Sequence, residues 1–142
     1  MTRLAGGLIG AIALLVSITG CDAPEDREPS WSYIHGAILL PNCATSNCHS
    51  NLGASPLGTS AAGLQLDGRE SSYFVLTGHA CEGTSTIEPP DGNLVVPGEP
   101  ERSKLLYLLR GDEVGRMPRD VPLPDAEIEL IERWILEGAP CN

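Results

Sequence analysis

Apolar residues along the chain form one uncharged run near its start, followed by shorter stretches in which they recur at helical spacing. Residues 4–16 are all Leu, Ile, Val, Ala or Gly, and they follow a short basic start at Arg3. A helix that spans a bilayer needs about 20 residues, so this run is too short to be one. Its length and its basic start are typical of the apolar region of an export signal.

Four later stretches carry the pattern of amphipathic helices. In the first of them, Trp31, Ile34 and Ile38 are spaced at i, i+3 and i+7, which places them on one helical face. Proline near the start of a helix and glycine after its end mark the boundaries. The helices predicted in this way are residues 29–40, ended by Pro41; 70–77, ended by Gly78; 100–109, ended by Gly111; and 124–137, ended by Gly138.

The segments between these helices show neither a strand pattern nor an internal repeat. Residues 51–63, 81–98 and 110–123 are irregular, and residues 64–66 form a short extended or turn segment. The sequence therefore predicts an all-α fold, a small helical domain with long loops.

Composition limits what such a domain can do. Gly 16 and Pro 12 together make up about a fifth of the 142 residues, and only six side chains are aromatic. The usual share of Gly and Pro is ~12%. Such a chain buries a thin core, which argues against a large enzyme active site and indicates that something else staples the fold. The net charge of −10 argues against nucleic acid as a partner, because phosphate binding requires clustered Lys and Arg.

The apolar run ends in Ile18-Thr19-Gly20-Cys21, which resembles the lipobox of bacterial lipoproteins. This resemblance implies that Cys21 is acylated, becomes the mature N-terminus and anchors the protein in a lipid bilayer. An ordinary export signal with a chance cysteine is the alternative. Both hypotheses export the chain, and we expect the domain at the bacterial cell envelope, on the periplasmic side. The predicted organisation is a signal peptide at 1–20, a flexible tether at 21–30 and one domain at 31–142.

The densest group of candidate ligands is Cys43 and Cys48, with His49 directly after them. In the c-type haem motif C-x-x-C-H, the two thiols form thioethers with the haem vinyl groups. The histidine then becomes the proximal ligand of the iron. Here the spacing is C-x4-C-H, so the segment between the cysteines must bulge, and its small polar residues favour a turn. The motif predicts one covalently bound haem c.

Three other uses of these cysteines stay open at this point. Cys43 and Cys48 can form a local disulfide, which export favours over free thiols. A zinc ion bound by Cys43, Cys48, His79 and Cys81 has a suitable set of ligands. Two free thiols are the third alternative.

Met117 is the single methionine that remains once the signal peptide is removed, and it lies beside Pro118 in a polar loop. Methionine usually fills gaps in cores, and simple packing is the alternative here. A thioether next to a rigid proline also suits the second axial position of a haem iron, where methionine raises the reduction potential relative to histidine. We therefore expect Met117 as the distal ligand, with His35 and His79 as fallback candidates.

Together these segments resemble the cytochrome c-like domains of exported proteins and lipoproteins from myxobacteria and planctomycetes. The resemblance extends over residues 31–139 and lies in the order of the segments. An apolar helix precedes the Cys-His motif, and a VVPGEP segment at 95–100 follows a long loop. Arg116-Met117-Pro118 then leads to a last helix that contains Trp134.

This resemblance implies a role for five residues. Cys43 and Cys48 attach the haem, His49 is the proximal ligand of the iron, and Met117 is the distal one. Trp134 packs where the first and last helices of the domain meet, near the haem edge.

Cys81 and Cys141 remain once haem occupies the other pair, and we expect them to form a disulfide that pins the C-terminus. The expected function is electron transfer by a membrane-tethered monohaem cytochrome, without enzymatic catalysis. Removal of the signal peptide takes away the positive charge of Arg3 and leaves a net charge of −11, which favours a redox partner with a basic docking patch.

Two other functions stay open. One is a haem-free, disulfide-stapled lipoprotein of the same fold that serves as a binding or structural module. The other is a small haem enzyme or ligand sensor in which the iron keeps an open position.

Overall fold

The computed structural model describes residues 27–50, 63–81, 94–112 and 115–142. Within these ranges the chain forms helices and no strand, which confirms the predicted all-α class. None of the helices in these ranges is both long and apolar enough to cross a membrane. The predicted signal peptide, Cys21, most of the tether and most of the loop at 51–63 lie outside the described residues.

The first helix, α1, runs without a break over residues 31–42. It begins with α-helical Trp31–Tyr33, continues as a π-helix over Ile34–Leu39 and ends with α-helical Leu40–Asn42. At its start, the Ser30 side chain accepts a hydrogen bond of 3.3 Å from the backbone N–H of Tyr33. This is a favourable cap, because it satisfies one of the free N–H groups of the first turn.

Pro41 does not end this helix, contrary to the prediction. In a regular α-helix its ring would clash with the carbonyl four residues earlier. Here the wider π-helical segment precedes it, and the N–H of Leu40 bonds to the carbonyl of His35, five residues back. The wider turn makes room for the ring, so the helix continues to Asn42.

Three further helices follow. Helix α2 is Arg69–Thr77, and Gly78 ends it with a left-handed φ of 75°. Helix α3 is Lys104–Arg110, ended in the same way by Gly111 at φ 78°, and helix α4 is Asp125–Leu136. Their bounds agree with the sequence prediction, except that the predicted helix at 100–109 is divided.

The division falls at Ser103. A 3-10 turn, Pro100–Arg102, precedes it, and Ser103 itself has extended backbone. Its hydroxyl group is buried, accepts a hydrogen bond from the N–H of Val96 at 2.9 Å and donates one to the carbonyl of Glu99 at 3.0 Å. The side chain thus bonds to backbone groups that precede the helix, and this local bonding competes with continuation of the helix through Ser103.

The centre of the core is a cluster of three aromatic side chains from three helices. Trp31 of α1 stacks on Trp134 of α4 with the ring centroids 5.2 Å apart, and both side chains are fully buried. Tyr73 of α2 lies edge-on to both, with centroid distances of 5.5 Å to Trp31 and 6.4 Å to Trp134. The contact between the first and last helices that the resemblance implied for Trp134 is therefore present.

The same aromatic residues hold the C-terminal tail. Tyr73 donates its hydroxyl proton to the carbonyl of Ala139 at 2.8 Å, and Trp134 donates Nε1–H to the carbonyl of Pro140 at 2.9 Å. The backbone N–H of Trp31 bonds to the side-chain oxygen of Asn142 at 2.8 Å. These three acceptors of the tail thus have partners, which avoids the cost of leaving them unsatisfied on burial.

Cys81 and Cys141 form a disulfide, with their Cα atoms 5.2 Å apart, which confirms the predicted pairing. The two residues are 60 positions apart in sequence. In the chain-entropy model, closing a loop of this length contributes about 4 kcal/mol to stability. A domain with few aromatic residues gains much of its stability in this way.

We predict that Tyr73→Phe lowers the free energy of unfolding by about 1–3 kcal/mol, because the buried carbonyl of Ala139 loses its only described partner. Tyr107→Phe is the matched control. Its hydroxyl also bonds to a carbonyl, that of Glu101, but the residue is exposed and water can replace the bond. Urea titrations of both variants measure the difference. Equal losses of stability in the two variants would contradict the claim that the buried bond from Tyr73 to Ala139 stabilises the fold.

Candidate cofactor site

One cavity brings together the four residues that the sequence singled out. It has a volume of about 450 Å³, and Cys43, Cys48, His49 and Met117 all line it. Segments 42–49 and 117–120 supply the walls, although about 70 residues separate them in sequence. A second cavity of about 390 Å³, against α3 and α4, contains none of the four. The first cavity is therefore the candidate site.

The segment between the two cysteines forms a compact turn. It begins as an extension of α1, because the N–H of Cys43 bonds to the carbonyl of Leu39 at 2.8 Å. A turn follows, in which the N–H of Cys48 bonds to the carbonyl of Thr45 at 3.0 Å. The N–H of His49 then bonds to the carbonyl of Cys43 at 3.0 Å, which closes the loop and holds its two ends together.

His49 is held in the tautomer that suits a metal ligand. Its Nδ1 lies 3.1 Å from the carbonyl oxygen of Leu64. A carbonyl can only accept, so Nδ1 is the donor, and in the neutral ring Nε2 then keeps a free lone pair. Histidines that bind metals usually donate their other ring N–H in this way, which fixes the orientation of the ring. The backbone of Leu66 supports the arrangement with an N–H bond of 2.7 Å to the carbonyl of His49.

The two cysteines of the cavity are not joined to each other. Cys43 is half-buried, and burial raises the pKa of its thiol to about 11, with a smaller effect from the neighbouring Cys48. Cys48 is exposed. The structure thus leaves both sulfur atoms able to bond to a group in the cavity.

The zinc alternative does not agree with the structure. Cys81, one of its four ligands, is bonded to Cys141. In the described ranges, no three His, Cys, Asp or Glu side chains lie close enough together to hold a metal ion.

The end of α3 carries Met117 to the cavity. The N–H of Met117 bonds to the carbonyl of Leu108 at 2.8 Å, and the following bond to Pro118 is cis. Arg116 packs against Gly111, where an added Cβ would lie 3.0 Å from the Cβ of Arg116. Glycine at this position therefore lets the loop fold back against the helix.

The fallback ligands His35 and His79 do not line the cavity. His35 is buried beside Trp31, with ring centroids 5.5 Å apart, and its Nε2–H donates to the carbonyl of Leu66 at 3.3 Å. Burial lowers the pKa of His35, which favours the neutral form of the ring. His79 is half-buried, and its backbone N–H bonds to the Thr77 hydroxyl.

Five further residues line the cavity that sequence reasoning did not assign. They are Asn42, Asn47, Pro118, Arg119 and Asp120. The only indication in the sequence was that each lies within three positions of an expected ligand. No spacing rule selects them, because they follow from how the two segments face each other.

Comparisons of the chain with protein-family models, with curated proteins and with solved structures gave no match. The function is therefore argued from the cavity and from the residues that line it.

We predict that the free energy of unfolding falls as the pH is lowered below about 6.5, the usual pKa of histidine in an unfolded chain. Burial of His35 disfavours its charged form, so the unfolded chain takes up a proton that the folded chain resists. The carbonyl of Leu66 and the charge of Asp67 oppose this shift, whereas the charge of Arg69 adds to it.

His35→Gln keeps an N–H donor for Leu66 and removes the titrating ring, so its stability should depend less on pH. His79→Gln, which removes a histidine outside the core, is the control. Urea unfolding at pH 7.5 and 5.5 measures the dependence. A His35→Gln variant with the pH slope of the wild type would show that another group is responsible.

Proposed function

We propose that the protein is a membrane-tethered monohaem c-type cytochrome that carries electrons and performs no catalysis on a substrate. The observation that supports this proposal most directly is the single cavity lined by Cys43, Cys48, His49 and Met117. Its volume lies within the range of about 300–1,000 Å³ that is usual for ligand and cofactor sites. The fold, in this proposal, is that of a small cytochrome c-like domain.

The donor set fits a covalently bound haem better than a bare metal ion. Two thiols without a partner would hold the haem through thioether bonds. One imidazole and one thioether are the axial ligands of many electron-transfer haems. The carbonyl of Leu64 orients the ring of His49 and leaves its Nε2 available as the proximal ligand.

When bound, haem supplies a one-electron couple, and the residues of the chain tune and protect it. Met117 as distal ligand favours a higher reduction potential than a second histidine would. The hydrogen bond from its N–H to the carbonyl of Leu108 ties this loop to helix α3. A sixth ligand from the protein also leaves no open position for a substrate, which favours a carrier over a haem enzyme or sensor.

The tether and the charge complete the proposal. Acylated Cys21 would anchor the protein in the bilayer and keep the domain at the periplasmic surface. The net charge of −11 after removal of the signal peptide suits a redox partner with a basic patch, since complementary charges accelerate encounter.

We predict that the chain, produced with its export signal beside a cytochrome c maturation system, carries haem that survives a denaturing gel. Its reduced spectrum should show a sharp α-band. Met117→Ala should retain the haem but bind carbon monoxide readily, because the distal position opens. His49→Ala should lose the native spectrum. His79→Ala, outside the cavity, should behave as the wild type.

A colourless wild type, made beside a control cytochrome that loads haem, would contradict the proposal. The haem-free, disulfide-stapled binding module would then be the better hypothesis. A native protein whose spectrum changes with carbon monoxide would instead favour the haem enzyme or sensor.

We also predict that electron transfer to a competent basic partner slows several-fold between about 10 and 200 mM salt. The Debye length falls from about 30 Å at 0.01 M to below 10 Å over this range, so steering weakens. Stopped-flow mixing of the reduced protein with the oxidised partner measures the rate. A rate that does not depend on ionic strength would disprove docking through a basic patch.

A further inference from the structure

The wall of the cavity carries one cation that the proposed function does not yet use. Arg119 and Asp120 both line the cavity, and Pro118 alone separates them from the proposed distal ligand Met117. They do not form an ion pair with each other, and the side chain of Asp120 accepts a hydrogen bond from the N–H of Val121 at 2.9 Å. The Asp120 carboxylate is therefore bonded within its own loop. The Arg119 guanidinium has no counter-charge in the described part of the chain.

Arg119 differs in this respect from the other arginines in the described ranges. Each of the others has a partner, which is a carboxylate, a backbone carbonyl or an aromatic ring. They are Arg27, Arg69, Arg102, Arg110, Arg116 and Arg133. Arg119 alone makes no hydrogen bond, ion pair or ring contact within that part of the chain.

The chain holds 19 acidic residues against nine Lys and Arg. In the described ranges, Lys104 also has no ion pair, but it is exposed and does not line this cavity. The place of Arg119 on the cavity wall indicates that its partner is a group in the cavity. Asn42, which also lines the cavity, already uses one of its two side-chain N–H groups for the carbonyl of Ile38 at 2.8 Å, and it carries no charge. A guanidinium forms strong paired hydrogen bonds with carboxylates in particular.

We propose that Arg119 is the carboxylate-binding residue of this cavity and pairs with a propionate group of the haem. This inference rests on the proposed function, since haem is the group that would bring the carboxylate. Its consequence is electrostatic. With Arg119 in place, the charge of that propionate is balanced. Without it, an extra negative charge near the iron stabilises the oxidised state and lowers the reduction potential.

The test uses the haem-loaded protein and three variants. Arg119→Gln removes the charge, and Arg119→Lys keeps the charge but loses the paired geometry of the guanidinium. Arg102→Gln is the matched control, because Arg102 is exposed, bonds to Glu99 and does not line the cavity. Two properties are measured: the propionate bending band in the resonance Raman spectrum, and the midpoint potential in a spectroelectrochemical titration.

We expect Arg119→Gln to shift the propionate band and to lower the equilibrium constant for reduction several-fold; for this one-electron couple a tenfold change equals about 59 mV. Arg119→Lys should also shift the band, while its midpoint stays near that of the wild type. Arg102→Gln should change neither property. Arg119 is exposed and makes no bond within the described fold, and the ion pair of Arg102 with Glu99 is exposed and adds little stability. We therefore expect all three variants to unfold close to the wild-type midpoint.

A propionate band that stays in place in Arg119→Gln would overturn the inference, whatever the potential does. A fall in potential that Arg102→Gln reproduces would overturn it too, because the effect would then follow net charge and not pairing. A wild type without haem would instead defeat the proposed function itself. If the wild type carries haem but the propionate band does not shift in Arg119→Gln, this inference fails and the proposed function stands.

Discussion

The stack of Trp31 on Trp134 is the contact on which the rest of the domain depends. It joins α1 to α4, and Tyr73 of α2 packs edge-on against both tryptophan rings. Aromatic pairs contribute about 0.5–1.5 kcal/mol beyond the area they bury. In a chain with six aromatic residues, placing three of them in one cluster concentrates the core where the helices cross.

The cavity lies at the ends of segments that this cluster positions. Helix α1 carries Trp31 at its start and leads at its end into the loop of Cys43, Cys48 and His49. On the opposite wall, Met117 is bonded to α3, which packs against α4, the helix that carries Trp134. The two walls thus meet because their parent helices are fixed to one core. The exposed ion pairs, Arg102 with Glu99 and Arg110 with Glu132, add little to this.

Much of the local structure was predictable, and the departures have local causes. Gly78 and Gly111 end their helices in the left-handed conformation that glycine adopts at low cost, as their positions in the sequence indicate. The prediction was wrong at Pro41, where the helix continues, and at Ser103, where a predicted helix is divided. A π-helical turn accommodates the proline ring, while the hydroxyl of Ser103 bonds to two backbone groups and interrupts an apparently continuous helix. The spacing of residues in the sequence shows neither the π-helical turn nor the bonds of the Ser103 hydroxyl.

The sequence by itself determined the helical class and most helix ends, and it singled out four candidate ligands, because these follow from residue types at short spacings. It predicted the pairing of Cys81 with Cys141 only on the condition that haem occupies the other two cysteines. The tertiary structure alone decided that the candidate ligands share one cavity, that His35 belongs to the core, and that Arg119 faces the cavity without a partner. Such facts depend on contacts between segments about 70 residues apart. Packing and the pairing of buried polar groups select those contacts, and no local pattern encodes them.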